Sequence, residues 1–402
     1  MVSVLPYGRQ SIDDDDVAAV VEQLRSDWLT QGPTVGRFEE ALCAITGARH
    51  GVAVANGTAA LHIACLAAGV RTGDVGVTSD ITFVASANCV RYAGGEPSLV
   101  DVEPETGLLS VSALESRIAE LGRAGRTTKV ILPVDLAGSV ADLPAVARVA
   151  QRAGACVIED AAHSLGATYE HEGTTFRAAS CAHSTMAILS FHPVKHITTG
   201  EGGAVMTNDD GLYRELLDLR THGITKDPSR LEANEGPWWY EQRRLGFNYR
   251  ITDLQCALGL RQARRLPAFL ARRREIAARY DAAFSSGDLR LQMTPLRVPS
   301  RTRSAYHLYV VQVRARAGEG LAEVAERRRA LFLHLRARGI APQVHYIPIH
   351  RQPDFVRSGF ARGDFAGAER YYAGCISLPM FPAMTDADVD RVIEAVREGA
   401  PR

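Results

Sequence analysis

One lysine, Lys195, stands in an unusual setting for a charged residue. It lies within the segment SFHPVKHITTGEGG (190–203), between an apolar run and a cluster of glycines. An amine held in an apolar site has a lowered pKa, because desolvation disfavours its charged form. Such an amine can attack an aldehyde and later act as a general base. The alternative is a lysine whose stem packs while its head reaches water.

Two carboxylates, Glu159 and Asp160, end the apolar run that begins at Cys156, and His163 follows shortly after. A carboxylate at the carboxyl end of a buried strand can hold a positive charge on a ligand, such as a protonated ring nitrogen. Asp160 is also a suitable helix N-cap. His163 taken alone is better explained as a core histidine.

The turn ANGTA (55–59) joins a predicted strand to a predicted helix. Gly57 lets the backbone approach closely, and free amides at the start of a helix form an anion site suited to a phosphate. An ordinary turn with Thr58 as the cap is the alternative. Ser190 either donates a hydroxyl to the same phosphate or simply ends its strand.

These signals together predict a site for pyridoxal 5'-phosphate. This cofactor needs a lysine that forms a Schiff base, an Asp partner for its pyridinium nitrogen and anchors for its phosphate. Lys195, Asp160 and the turn at Gly57 meet these needs in one chain. We therefore expect pyridoxal phosphate, with pyridoxamine 5'-phosphate as its aminated form.

The composition is that of a soluble globular protein. The chain has 402 residues, of which 46% are hydrophobic, which is enough for a sizeable core and two domains. Lys+Arg and Asp+Glu both total 46, so nothing favours nucleic acid or a membrane as a partner. The seven scattered cysteines include no CxxC pair, which indicates reduced thiols and no metal site. No apolar leader or membrane span is visible, and we expect a cytoplasmic protein.

Short β-branched runs alternate with alanine-rich helical stretches after residue 50. The predicted strands are 51–55, 96–102, 130–135, 156–160, 186–190 and 203–206, and the predicted helices are 58–68, 110–121 and 143–153. This alternation predicts an α/β fold with a mainly parallel sheet covered by helices on both faces. Ligands of such sheets bind at the carboxyl ends of the strands.

The remaining elements suggest two domains. An acidic stretch beginning at Ser11 predicts a helix start with Ser11 as the cap, and a long helix is predicted over 253–284. A smaller α+β region follows, with strands at 306–313 and 343–347, a helix at 321–338 and a last helix capped by Thr385. We predict a large cofactor-binding α/β domain over 1–255 and a smaller C-terminal α+β domain over 256–402.

Several segments occur in an order that resembles the DegT/StrS-type sugar-nucleotide aminotransferases. They are NGTAAL (56–61), TFVA (82–85), EDAAH (159–163), SFHPVK (190–195), GEGG (200–203) and GFNYR (246–250). The resemblance implies the fold-type-I aminotransferase architecture, with a mainly parallel seven-stranded sheet. Within the family the chain looks closest to the pseudaminic-acid branch. That branch aminates C4 of a UDP-linked 4-keto-6-deoxy N-acetylamino sugar with L-glutamate as donor.

The resemblance also implies roles for individual residues. Lys195 would bond the cofactor, Asp160 would pair with the pyridinium nitrogen, and His163 would lie near the ring oxygen. The other implied cofactor contacts are Gly57, Thr58 and Ser190 at the phosphate, Phe83 on the pyridine ring, and Asn248 or Arg250 reaching into the neighbouring subunit. The implied sugar-nucleotide contacts are Tyr7, Trp28, His307, His345 and Tyr346. A homodimer with shared active sites is therefore expected.

Three positions depart from the usual family pattern: Asn56, Asp80 and His196. These departures bear on the identity of the substrate more than on the use of the cofactor. A dTDP-linked 4-keto-6-deoxy sugar or a cyclitol ketone is an alternative substrate. A sugar dehydratase is a further alternative, although such enzymes carry His where this chain has Lys195. A homologue without catalysis is another, and the retained Asp160 and Lys195 argue against it.

Overall fold

The computed structural model describes residues 4–361 and 363–400. The strands are β1 (Leu5–Pro6), β2 (His50–Val54), β3 (Val75–Ser79), β4 (Glu96–Val100), β5 (Thr128–Leu132), β6 (Cys156–Asp160), β7 (Thr168–His171), β8 (Thr174–Arg177), β9 (Met186–Ser190), β10 (Gly203–Thr207), β11 (Ile224–Thr225), β12 (Glu241–Gln242), β13 (Met293–Pro295), β14 (Thr302–Arg303), β15 (Tyr309–Val313), β16 (Ile340–Ala341) and β17 (Cys375–Leu378). The helices are α1 (Asp14–Leu24), α2 (Pro33–Thr46), α3 (Gly57–Ala67), α4 (Ala85–Tyr92), α5 (Val111–Arg123), α6 (Leu143–Ala153), α7 (Asp210–Arg220), α8 (Asp253–Phe284), α9 (Gly287–Gln292), α10 (Leu321–Ala337), α11 (Pro353–Arg357), α12 (Ala366–Gly374) and α13 (Asp386–Gly399).

The central sheet has seven strands in the order β2-β10-β9-β6-β5-β3-β4. Its neighbours are parallel except for β10, which runs antiparallel to both β2 and β9. The predicted mainly parallel sheet is thus confirmed. The pattern missed β3, whose run contains Gly76 and so looks weak as a strand. A Cβ at Gly76 would lie 2.3 Å from Val90 Cγ2, so close packing of α4 requires this glycine.

Helices cover both faces of the sheet, and the pleat of each strand divides its side chains between them. In β9, Met186 and Ile188 pack into the cluster formed with α3, α4 and α7, while Ala187 and Leu189 pack into the cluster formed with α2 and α8. Successive side chains of a strand point to opposite faces. The position of a residue in the alternation along its strand therefore decides which layer of helices its side chain contacts.

Four loops that follow parallel strands meet at one edge of the sheet. They come after β2, β3, β6 and β9, at Val54, Ser79, Asp160 and Ser190. The carboxyl ends of parallel strands share an edge, and this edge is the expected place for a ligand. The segments singled out in the sequence lie in these loops.

The C-terminal part has a core of its own around the antiparallel sheet β13-β15-β17. The helix α8 spans both cores, because Leu266 and Leu270 pack on the first while Ile276 and Tyr280 pack on the second. The division of the chain at residue 255 remains a prediction. None of the helices within 4–361 and 363–400 is long and apolar enough to cross a membrane.

Two local predictions were wrong. The segment 343–347 is not a strand: only Gln343 makes an isolated bridge, to Ser377, and Pro348 has no N–H with which to extend a ladder. The first helix is capped by Asp13 rather than Ser11, because Asp13 accepts from the Asp16 N–H in a capping box. The capping box predicted at Thr385 is confirmed.

Candidate active site

A cavity of about 940 Å³ opens at the carboxyl edge of the sheet, and both Lys195 and Asp160 line it. Most of the residues singled out in the sequence line the same cavity: Tyr7, Gly57, Thr58, Phe83, Asp160, His163, Ser190, Lys195, His307, His345 and Tyr346. The fold thus brings together residues that are up to about 340 positions apart in the chain, from Tyr7 to Tyr346.

Asp160 is the last residue of β6, and its orientation follows from the pleat. Ile158 packs in the α3 layer while Val157 packs in the opposite layer, so Asp160 shares a face with Ile158 and Glu159 points to the other side. Its Oδ2 accepts a 2.7 Å hydrogen bond from the Ser86 hydroxyl. Burial raises the pKa of Asp160, and Ser86, the Ala162 N–H and Lys195 oppose that rise.

Lys195 lies in the loop after β9, where its N–H donates to the His192 carbonyl at 2.9 Å. The side chain is half-buried, and it lines the cavity. Burial lowers the pKa of Lys195 to about 8, although the negative charge of Asp160 opposes the change. The amine can therefore lose its proton near neutral pH, as a nucleophile or a general base must.

The turn before α3 presents free backbone donors to the cavity. Asn56 caps the helix by accepting from the Ala59 N–H at 2.8 Å, so the alternative of Thr58 as cap is wrong. Within the part of the chain that the structure describes, the N–H groups of Gly57 and Thr58 have no partner. These donors and the helix dipole favour an anion.

Two glycines allow this turn to form. A Cβ at Gly57 would lie 3.0 Å from the Cβ of Ser190, the last residue of β9, so a larger residue would push Ser190 away from the turn. A Cβ at Gly203 would lie 2.6 Å from the Asn56 carbonyl carbon and 2.7 Å from the Gly57 nitrogen. The strand β10 therefore passes directly behind the anion site, and only glycine fits there.

Uncharged imidazoles form part of the cavity wall. The rings of His163 and His307 approach to 4.2 Å between centroids, and the Tyr346 hydroxyl lies 3.2 Å from His163 Nε2. Burial, reinforced by nearby Lys195, holds the pKa of His163 well below its usual range. Burial also lowers the pKa of His345 to about 3. Neutral rings offer hydrogen bonds without adding charge beside the lysine.

His196 lies behind the cavity rather than in it. Its Nε2 donates to the Ala305 carbonyl at 3.1 Å, and its ring lies 5.6 Å from the His307 ring. The ring is buried, and burial holds its pKa well below the usual range. The large side chain of His196, next to Lys195 in the sequence, thus supports the segment that carries His307.

Three of the predicted residues do not line this cavity: Trp28, Asn248 and Arg250. Trp28 is exposed. Asn248 and Arg250 pair with Thr221 and Val54 in isolated bridges, and the residue between them, Tyr249, faces the cavity instead. The alternation of an extended segment accounts for this difference.

Several lining residues were not predicted as site residues: Thr82, Ser86, His62, His192, Glu201 and Tyr249. For Ser86 the sequence did offer a sign, the spacing of four residues that places its hydroxyl one helical turn after that of Thr82. In the structure the two hydroxyl groups are hydrogen-bonded at 2.8 Å. His62 lies one turn into α3 after Thr58, and its Nδ1 is 3.1 Å from the Tyr249 hydroxyl. Their roles depend on contacts between distant segments.

The residues present fit pyridoxal phosphate. Gly57 and Thr58 offer unpartnered amides for a phosphate, Asp160 offers a buried carboxylate for a pyridinium nitrogen, and Lys195 offers an amine of lowered pKa. A metal centre has no comparable support. Among the residues that the structure describes, no group of three or more His, Cys, Asp or Glu side chains is placed to hold a metal ion.

Comparison with known proteins gives matches over nearly the whole chain. A model of the DegT/DnrJ/EryC1/StrS aminotransferase family matches residues 10–397. The spore coat polysaccharide biosynthesis protein SpsC of Bacillus subtilis is 37% identical over 396 residues, which are 98% of this chain and 96% of that protein.

Solved structures match the fold as well. Helicobacter pylori PseC, an aminotransferase involved in the biosynthesis of pseudoaminic acid, is 28% identical with a TM-score of 0.86, and 99% of each chain is covered. Spr1654 of Streptococcus pneumoniae, a proposed sugar aminotransferase, is 29% identical in its PMP form with a TM-score of 0.86, covering 99% of this chain and 98% of that one. The same protein has also been solved in a PLP form.

Proposed function

Because this chain belongs to the DegT/DnrJ/EryC1/StrS aminotransferase family, we propose that it transfers the amino group of L-glutamate to a sugar nucleotide. Like other members of its family, the chain is a sugar aminotransferase that uses pyridoxal phosphate as its cofactor. The proposed acceptor is the C4 ketone of a UDP-linked 4-keto-6-deoxy amino sugar. The observation that carries the proposal is the single cavity that holds Lys195, Asp160 and the free amides at Gly57 and Thr58.

When bound, pyridoxal phosphate supplies an aldehyde that accepts the amino group and a ring that takes up electrons. The carboxylate of Asp160, which accepts a hydrogen bond from Ser86, stabilises the protonated, positively charged form of the ring nitrogen. The amides of Gly57 and Thr58 hold the phosphate. The Lys195 amine removes the proton from Cα of glutamate, and in the second half of the cycle it returns a proton to C4 of the sugar.

The similarity to PseC, an aminotransferase involved in the biosynthesis of pseudoaminic acid, supports the branch of the family from whose resemblance the UDP-linked substrate is inferred. The polar wall formed by Tyr7, His307, His345 and Tyr346 supports a substrate with many hydroxyl groups, because these side chains offer hydrogen bonds without net charge.

The test is amination of a panel of ketones by the enzyme loaded with pyridoxal phosphate, with formation of 2-oxoglutarate and the product mass as readouts. The panel contains UDP-, dTDP- and GDP-linked 4-keto-6-deoxy sugars and an inositol-type ketone. We expect the UDP-linked amino sugar to have the highest kcat/KM. Preference for a dTDP sugar or the cyclitol would refute the substrate, and a 3-deoxy product would show a dehydratase.

We also propose that the enzyme is a homodimer with shared active sites. Arg250 pairs with Val54 at the end of β2 and Asn248 pairs with Thr221, both outside the cavity of their own chain. Exposed apolar side chains occur nearby in sequence at Trp238, Tyr240 and Leu245. Mixing inactive Lys195→Ala and Arg250→Ala chains tests this. In an equimolar mixture about half of the dimers are hybrids, each with one intact site, so we expect the mixture to recover about a quarter of the wild-type activity. Failure to recover activity from a verified hybrid would refute the shared site.

A further inference from the structure

The cavity has two walls that come from distant parts of the chain. The first is the segment 80–86 after β3, which contributes Phe83 and Ser86, and the second is the segment 343–352, which contributes His345 and Tyr346. The rings of Phe83 and Tyr346 lie 6.1 Å apart between centroids. A ligand that touches both walls requires this spacing to be kept.

Asp80 joins the two walls through three hydrogen bonds. Its carbonyl oxygen accepts from the Ile349 N–H at 2.9 Å. Its carboxylate accepts from the His350 N–H at 2.9 Å and from His350 Nδ1 at 2.5 Å. Asp80 is fully buried, so separation of the walls would leave its carboxylate unpaired at a large cost in free energy.

His350 extends this connection to α12. Its Nε2 lies 2.8 Å from Glu369 Oε1, and its ring stacks on Phe365 at 4.6 Å with an angle of 11°. Each ring nitrogen faces a carboxylate, and a neutral imidazole has only one N–H to donate. Burial lowers the pKa of His350, but the hydrogen bonds and charges of Asp80 and Glu369 outweigh burial and raise it. The two facing carboxyl groups thus favour the charged form of the ring.

We propose that Asp80 and His350 are positioning residues that hold the substrate-side wall of the cavity against the cofactor-side wall. Neither side chain lines the cavity, so both act through the neighbouring Phe83 and Tyr346. Two of the three hydrogen bonds depend on the carboxylate, and Asp80 is one of the three positions at which this chain departs from the family pattern. The departure at Asp80 is therefore a feature of how this chain aligns its substrate.

The first test needs no substrate. Amide hydrogen exchange is measured for residues 343–352 in the wild type and in Asp80→Asn, both loaded with pyridoxal phosphate. We expect about tenfold faster exchange at His350 in the variant, because loss of the charge loosens the contact. Asp16→Asn is the matched control, since Asp16 is also fully buried and paired, with Arg265, but lies on α1. Unchanged exchange in Asp80→Asn overturns the proposal.

The second test rests on the proposed function. An Asn amide at position 350 reaches the place of Nδ1 and can donate to Asp80, whereas a Gln amide reaches only the place of Nε2. We expect His350→Gln to raise the KM for the keto sugar about tenfold, and His350→Asn to raise it less than threefold. The rate of the half-reaction with glutamate should remain the same in both.

A purely structural role would lower the melting temperature of both variants without separating their KM values, and equal KM values would overturn the positioning role. If the wild type aminates no keto sugar nucleotide, the proposed function fails. The exchange experiment then still decides whether Asp80 and His350 connect the two walls.

Discussion

The Ser86 hydroxyl donates a 2.7 Å hydrogen bond to Oδ2 of Asp160, and it is itself hydrogen-bonded to the Thr82 hydroxyl at 2.8 Å. Asp160 ends β6, whereas Ser86 lies in the first turns of α4. The segments that follow β3 and β6 are thus joined by this hydrogen bond. The carboxylate that we propose as the partner of the ring nitrogen is oriented by a residue 74 positions earlier in the chain.

Replacing Ser86 should weaken cofactor binding. Ser86→Ala removes a donor from a buried carboxylate, which we expect to raise the Kd for pyridoxal phosphate about tenfold, since such bonds contribute about 1.5–3 kcal/mol. Titration of the cofactor-free protein, followed by visible absorbance, measures this. Ser180→Ala is the control, because the Ser180 hydroxyl has no partner among the residues described. Equal affinity in Ser86→Ala and the wild type would contradict the orienting role.

Removing the amine of Lys195 should abolish turnover. In Lys195→Ala the cavity keeps its phosphate site but has no group to move the proton, so we expect a loss of at least about 1,000-fold in kcat. Reduction with borohydride followed by mass spectrometry should find the cofactor covalently attached in the wild type only. Lys226→Ala, at an exposed position, is the control. An active Lys195→Ala enzyme would refute the assignment.

Cofactor loading should depend on pH. The pKa of Lys195 is lowered to about 8, so its neutral, nucleophilic form grows as the pH rises through that value. At pH 7 about a tenth of the amine is neutral, which follows from a gap of one pH unit. We expect the rate of covalent cofactor loading to rise about tenfold from pH 7 to 9. A midpoint near pH 10.5 would instead indicate an unperturbed lysine.

A methyl group behind the anion site should disturb it. In Gly203→Ala the new Cβ meets backbone atoms of Asn56 and Gly57, which cannot move without displacing the turn. We expect a loss of about 2–4 kcal/mol in the free energy of unfolding, together with weaker cofactor binding. Gly36→Ala is the control, because a Cβ there meets nothing within 4 Å. Denaturant unfolding of both variants measures the loss of stability, and cofactor titration measures the loss of binding.

Glu159 should make stability depend on pH although it lies outside the cavity. Burial raises its pKa from 4.5 to about 7, so the folded state binds more protons than the unfolded state between these values. Its stabilising contribution is complete below about pH 4.5 and is lost as the pH rises through about 7.

Glu159→Gln should remove most of this fall in stability between pH 5 and 8 while leaving activity within about twofold. Thermal unfolding at several pH values is the measurement, with exposed Glu172→Gln as the control. An undiminished pH slope in Glu159→Gln would show that another group, such as the neighbouring Asp135, titrates instead. Loss of activity would show that Glu159 rather than Asp160 serves the site.

The sequence predicts the family, the fold class and the use of pyridoxal phosphate, and all three are confirmed. Local patterns were sufficient for them. The order of strands and helices follows from short-range periodicity, and a lysine, a strand-ending carboxylate and a glycine turn are identifiable by residue type. The missed strand β3 shows where the pattern fails, because Gly76 is there to fit Val90.

Contacts across the fold could not be predicted in this way. The pair Glu159 and Asp160 offers two carboxylates, and only the packing of β6 decides that Asp160 faces the cavity. The same alternation turns Tyr249 inward in place of Asn248 and Arg250. Ser86 meets Asp160, and His350 meets Asp80, only after strands distant in sequence lie side by side. Residue types thus identify the chemistry, whereas side-chain direction and long-range pairing depend on the packing of the whole chain.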